Sequence, residues 1–461
     1  MSAAVAYRCE LAWLPAGRLA SDVVIEVADG RITSIGPGPT GAGAGPAASE
    51  VRTEYLAGLV LPGLANAHSH VFHRALRGTT EQGRGTFWTW RDRMYELAAV
   101  LDPDSLHALA RMTYAEMALA GVTTVGEFHY LHHQRDGRAY ADPNAMAEAV
   151  LAAARDAGVR CTLLDTCYLA GGFGEPTSGV QRRFSDRDAA SWAARVEELQ
   201  QRYARATDVV IGAAIHSVRA VPVPELPVIS AWAAAHQVPL HAHVSEQPAE
   251  NAACLAATGR TPVRLLADSG VLGPRTWAVH ATHLTDADVT DLADSGAGVC
   301  LCPTTEAALA DGIGPAARLR EADVPVSLGT DSHASIDLFA EARRAEWDQR
   351  LSTGQRGHLD TEALLAALAP EGQASLGVAD AGRLAAGARA DLVAVDLGSV
   401  RTAGADPETA AASVVFGASA ADVTDVIVDG RRIVRDREHR DGDVGRGLAT
   451  AIAAVRGEAQ R

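Results

Sequence analysis

Eight short runs of apolar, β-prone residues recur through the middle of the chain, at 58–64, 122–128, 159–165, 209–215, 238–244, 276–281, 297–302 and 324–330. Ala- and Leu-rich stretches of helical length separate them, at 103–120, 143–157, 189–206, 226–236, 261–269, 285–295 and 314–322. A strand that is apolar on both faces has to be covered on both. The alternation with helices therefore predicts a parallel sheet. Eight such units predict a closed (β/α)8, TIM-like barrel rather than an open doubly wound sheet. The ends of the chain differ. Residues 20–35 and 423–434 alternate in polarity and turn on Asp-Gly, and 390–397 reads as one more strand. With a Gly/Pro/Ala-rich loop at 36–49, they predict a small β-sandwich built from 1–61 and 382–461, flanking a barrel of 62–381.

Composition limits the partners. Hydrophobic residues make up 48% of the chain and charged residues 21%, as in ordinary soluble proteins. No apolar run approaches the length of a membrane span, and MSAAVAYRCELAWLP lacks the pattern of a secretion signal, so the expected location is the cytoplasm. Six scattered Cys predict buried thiols, not a disulfide framework. A net charge of −16 argues against nucleic acid and anionic membrane as partners. All 41 basic residues are arginine. That removes Schiff-base and P-loop lysines, and also a carbamylated lysine bridging two metals. An anionic substrate would have to be met by Arg, His, hydroxyls or backbone.

In a (β/α)8 barrel the chemistry sits at the C-terminal ends of the strands. Those ends are rich in His, Glu and Asp. The first reads LVLPGLANAHSHVFH, where His68 and His70 share one face of an extended segment and can share one metal ion. His243 after the fifth run offers a third nitrogen and Asp331 after the eighth a carboxylate, leaving one position for water. A divalent metal there would bring the pKa of that water toward neutrality. Glu246, three residues past His243, suits a general acid/base, and His280 is placed to act on the same water together with Asp331. His241 shares a face with His243 and remains an alternative ligand. His129, His132, His133 and His283 are further candidates for supporting or structural roles.

The motifs PG-x-x-N-x-HSH, H-x-x-E, HATH and GTDS, in that order, resemble the amidohydrolase superfamily, and within it the one-metal deaminase branch. Phe87-Trp88-Thr89-Trp90-Arg91, Glu127–His133 (EFHYLHH), His216–Val221 (HSVRAV) and His243–Glu250 (HVSEQPAE) are similar to the formimidoylglutamate deiminases over most of the chain. The resemblance implies a barrel with a small β domain from both termini, and a homodimer. It also implies one divalent ion, most readily Zn2+, on His68, His70, His243 and Asp331. Glu246 and His280 would transfer protons, and Arg91, Tyr130, His216 and Arg219 would bind substrate. The implied reaction converts N-formimidoyl-L-glutamate and water into N-formyl-L-glutamate and ammonia, in histidine degradation. The chain departs from that family at His73, where glutamine is usual. An imidazole cannot present the paired donor and acceptor of an amide, so His73 marks the substrate contact that differs.

Two alternatives make different demands. A deaminase or chlorohydrolase acting on a purine, pyrimidine or triazine needs aromatic walls and amide readers for a flat ring. An aromatic content of 5%, with arginines near the strand ends, points instead to a small acidic amino-acid derivative. A non-catalytic scaffold on the same fold would have lost metal residues, and here all are present.

Overall fold

The computed structural model describes residues 4–38, 52–81 and 83–460, so most of the loop expected at 36–49 lies outside the described residues. Eight parallel strands form the barrel wall in sequence order: Leu64–Ser69, Val122–His129, Arg160–Cys167, Val209–Ser217, Leu240–Val244, Thr276–His280, Gly298–Leu301 and Val326–Leu328. The barrel closes between the eighth strand and the first through a parallel bridge of Asp331 with Ser69. Asp331 N–H donates to the His68 carbonyl at 3.0 Å, and His70 N–H donates to the Asp331 carbonyl at 3.3 Å.

Seven of the eight expected runs contain barrel strands, with ends shifted by a few residues. The first run does not. Residues 58–62 continue the strand Arg52–Pro62, which pairs in parallel with Val5–Leu14 and antiparallel with Leu392–Val395 in a different sheet. The true first barrel strand, LANAHS, is buried at every position although half of its residues are polar. Its polarity hides it from a search for apolar runs, because its polar side chains are bound inside the protein. Pro62-Gly63 is the elbow between the two sheets. A Cβ on Gly63 would lie 2.4 Å from Thr123 Oγ1 and 2.6 Å from Asp391 Cβ, so only glycine fits there.

Both termini contribute to one second sheet of eight strands. Its order runs from Glu438–His439 through Val423–Val428, Leu392–Val395, Arg52–Pro62 and Val5–Leu14 to Arg31–Pro37. The hairpins at Asp29-Gly30 and Asp429-Gly430 both carry two successive positive φ angles, as a type I′ turn requires. The last helix, Val444–Ala459, leaves this sheet and lies on the barrel, where Arg456 donates to the carbonyls of Ala75 and Arg77. Arg160, buried at the base of the third strand, ties the two units together through Asp391 and Asp429.

All six cysteines are buried and unbridged, as expected from their spacing. No helix among the described residues is long and apolar enough to cross a membrane.

Candidate metal and substrate site

The first strand delivers His68, and one extended residue later His70, to the top of the barrel. The fifth delivers His243, and the loop after the eighth delivers Asp331. All four are buried. His243 Nε2 lies 3.2 Å from His68 Nε2 and 3.3 Å from His70 Nε2, and Asp331 Oδ1 lies 3.2 and 3.3 Å from the same two nitrogens. Four ligand atoms held tetrahedrally at zinc–nitrogen distances stand about 3.3 Å apart along each edge.

The tautomers agree with that geometry. His70 Nδ1 donates to the Phe128 carbonyl and His243 Nδ1 to the His216 carbonyl, both at 2.9 Å, which leaves each Nε2 with a lone pair. Lone pairs aimed at one another and at a carboxylate repel unless a cation sits among them. Burial depresses the pKa of all three imidazoles, that of His68 to about 3, and so keeps them neutral. The donor set fits a divalent ion.

The support beneath these ligands is a polar chain. Asn66 accepts from Thr330 N–H and donates to Thr330 Oγ1, at 2.9 and 2.7 Å, joining the two strands that carry the ligands. Ser69 Oγ donates to Glu127, whose other oxygen accepts from Val71 N–H, and His333 lies between Ser69 Oγ and Thr330 Oγ1. Glu127, pushed up to about 8 by burial, thus braces the His-Ser-His segment from behind. Ser245, His280, Ala281, Asp331 and His333 all have positive φ without being glycine. So much left-handed backbone around one site is strain that the packed barrel sustains.

Glu246 and His280 lie beside the ligands, with His280 Nε2 3.8 Å from Glu246 Oε1. Burial pushes the Glu246 carboxyl up to about 7, despite the opposing pull of His280. Burial works against charging His280, but Glu246, Glu306 and Asp331 raise it well above its ordinary value.

A cavity of about 50 Å3 opens over this group. Every residue expected to bind substrate lines it: His73, Arg91, Tyr130, His216 and Arg219. His73 Nε2 is 2.9 Å from Tyr130 Oη, and its Nδ1 is buried with no partner. Arg91 stands over the rings of Trp88 and Tyr95, and its Nε is also without a partner. His241 faces away, with Nε2 2.9 Å from the Ser375 carbonyl in the helix Pro370–Ser375, so it is not near the other ligands. His129, His132 and His133 stand outside the cavity, the latter two beside Asp165 and Asp186, and His283 reaches the Asp311 carbonyl.

The expected shortage of aromatic walls does not hold. Phe87, Trp90, Tyr95, Tyr130, Tyr168 and Phe184 all line the cavity. A whole-chain percentage hides such a concentration at one place. The motifs name no residue at the ends of the third and seventh strands. Tyr168, directly after the third, could have been found by reading that end too, as could Leu309 in the loop region after the seventh.

The sequence profile of the Amidohydrolase family matches residues 59–433. The chain is 39% identical over 446 residues to the formimidoylglutamate deiminase of Pseudomonas aeruginosa, covering 93% of this chain and 94% of that one. It is 33% identical over 405 residues to the 8-oxoguanine deaminase of the same organism, covering 85% of each. Among solved structures, an amidohydrolase from Brucella melitensis superposes with a TM-score of 0.88 at 34% identity, covering 98% of this chain and 99% of that one. The chain belongs to the amidohydrolase family and is a hydrolase acting on C–N bonds.

Proposed function

We propose that the chain hydrolyses N-formimidoyl-L-glutamate to N-formyl-L-glutamate and ammonia, as a cytoplasmic step of histidine degradation. One observation carries this reading. Arg91 and Arg219 line the cavity beside Glu246, and among the described residues neither forms an ion pair with a carboxylate. By contrast, the buried Arg160 and Arg195 pair with Asp391 and Asp165, and the buried Arg183 spends its donors on backbone carbonyls. Two free guanidinium forks in a lysine-free cavity suit a substrate with two carboxylates. The formimidoylglutamate deiminase from P. aeruginosa supports the same choice.

One zinc ion on His68, His70, His243 and Asp331 would supply a hydroxide-strength nucleophile at neutral pH. Arg91 and Arg219 hold the carboxylates and so fix where the amidine carbon lies. His73 Nδ1 and Tyr130 Oη offer polar contacts along the substrate, and His216 and the aromatic wall exclude bulk water. Glu246 takes a proton from the attacking water and returns it to the terminal nitrogen of the amidine. His280 steadies the charge on Glu246 as that proton moves. The water oxygen becomes the formyl oxygen, its second proton follows the first to that nitrogen, and the nitrogen leaves as ammonia.

The aromatic wall favours a second reading, a deaminase of a flat ring, in line with the 8-oxoguanine deaminase relative. Ammonia release from formimidoyl amino acids and from purines separates the two. Zinc-loaded protein should turn over formimidoylglutamate far faster than formimidoylglycine, which lacks the side-chain carboxylate. Turnover of a purine with none of formimidoylglutamate would replace the first reading with the second.

A further inference from the structure

We propose a second, inhibitory divalent-metal site directly behind the catalytic histidine, made by His280 Nδ1, Cys302 Sγ and Glu306 Oε1. The three ligand atoms lie within 4.8 Å of one another and all three residues are buried. His280 uses its two nitrogens in opposite directions. Nε2 faces Glu246, while Nδ1 forms a long buried pair with Glu306 Oε1 at 3.5 Å. A separation of 3.5 Å, longer than a good hydrogen bond, is close to that of two ligand atoms on one ion.

The chain fixes the other two donors firmly. Cys302 is the N-cap of the helix Pro303–Ala308, and its backbone N–H donates to Glu306 Oε1 at 2.8 Å. The cap therefore holds carboxylate and thiol on the same side of His280. Imidazole, thiolate and carboxylate together suit zinc, cobalt or cadmium and discriminate against magnesium and calcium. Entry is through the substrate cavity, which His280 itself lines. Binding displaces two protons, one from the Cys302 thiol and one from His280 Nδ1, and releases both to solvent.

A metal on Nδ1 makes His280 a ligand that no longer steadies the charge on Glu246, so activity falls while the first site stays loaded. The binding stands on geometry alone, whereas the inhibition also rests on the role of His280 in the reading above.

Cobalt(II) titration of chelator-stripped protein tests both parts. The first equivalent should fill the nitrogen–oxygen site and restore ammonia release. The second should bring a thiolate-to-cobalt charge-transfer band in the near ultraviolet, and activity should fall at least tenfold as that band grows. Cys302→Ser should keep the first phase and lose both the band and the inhibition. Glu306→Gln, which keeps an acceptor for the helix cap, should shift the second phase to at least tenfold higher cobalt. It provides the same comparison if Cys302→Ser does not fold. No band at excess cobalt, or a band that survives in Cys302→Ser, overturns the site. A band without loss of activity overturns its inhibitory role, and it does so on any substrate the enzyme turns over.

Discussion

Asp331 is tied to His68 twice: its backbone N–H donates to the His68 carbonyl at 3.0 Å, and its Oδ1 stands 3.2 Å from His68 Nε2. The first contact helps close the barrel and the second brings a carboxylate to the ligand cluster. Closing the barrel and assembling the metal site are one structural event. A cation at the cluster should stabilise the closed wall, because whatever binds only the folded state shifts the folding equilibrium.

Chelator-treated protein should therefore melt at a lower temperature than the zinc-loaded form. At an ion concentration a hundred times its dissociation constant, the difference corresponds to about 2.7 kcal/mol. Differential scanning calorimetry of the two forms measures it. Coincident melting curves would mean that the cluster holds its shape without an ion.

Glu246→Gln keeps the size of the side chain and removes its proton. Glu246 is not within ligand distance of the cluster nitrogens, so zinc content measured by atomic absorption should stay at one per chain. Turnover should fall by about 10²–10⁴-fold, the usual contribution of a general acid/base. Full activity in this variant would remove Glu246 from the mechanism.

Arg219→Met keeps much of the stem and deletes the fork. A lost charged contact to a carboxylate is worth about 1.5–3 kcal/mol, or roughly a tenfold to hundredfold drop in kcat/KM. Zinc content should not change. Steady-state kinetics on formimidoylglutamate and on formimidoylglycine should show the penalty for the dicarboxylate only, if Arg219 holds the side-chain carboxylate.

The strand ends were where the sequence spoke most plainly, for a physical reason. The polar side chains that meet at the mouth of the cavity sit at the tops of strands whose apolar flanks mark them, so His243, His280 and Asp331 could be located by the runs around them. The first strand shows the limit. LANAHS is buried but half polar, and its hydrogen bonds come from partners such as Thr330, some 260 residues away, that periodicity cannot see. His241 and His243 likewise share one face of one strand, and only the helix Pro370–Ser375 below the barrel decides that His241 points down to Ser375. The cavity wall was the least legible part. Tyr168 and Phe184 come from connections whose course is set by packing on neighbouring units, not by local pattern.

Gly329→Ala tests how tightly the wall is closed. A Cβ at that position would lie 2.6 Å from His68 Cβ, 2.7 Å from its nitrogen and 2.8 Å from its oxygen. Two of those atoms are backbone, so the strand itself has to move. Overpacking of this kind costs about 1–3 kcal/mol, and it acts on the segment that carries two ligands. The variant should lose both thermal stability and zinc affinity. An unchanged zinc content under competition with a chelator would show that the first strand can shift without disturbing its histidines.

The buried network on the outer side of the third strand gives a pH signature independent of the metal. Asp165 accepts from Arg195 at 2.8 and 2.9 Å and from Trp192 Nε1 at 3.0 Å, and Arg195 also reaches Asp186. Burial alone would raise the Asp165 carboxyl, but Arg195 pulls it below its ordinary value. A carboxyl whose pKa is lower folded than unfolded contributes stability that is fully present above the unfolded value, about 4. That contribution is lost as pH falls through the folded value. Asp165→Asn leaves a buried guanidinium short of a partner, so at pH 7 it should destabilise the protein by about 3–5 kcal/mol. Below pH 4 the carboxyl of the unfolded wild-type chain takes up a proton while the folded one does not yet, so the gap between the two proteins should narrow. Urea melts of both proteins from pH 7 down to pH 3 measure that gap. A gap that stays constant, or widens, as the solution turns acid would mean that Asp165 is not held as a carboxylate by Arg195.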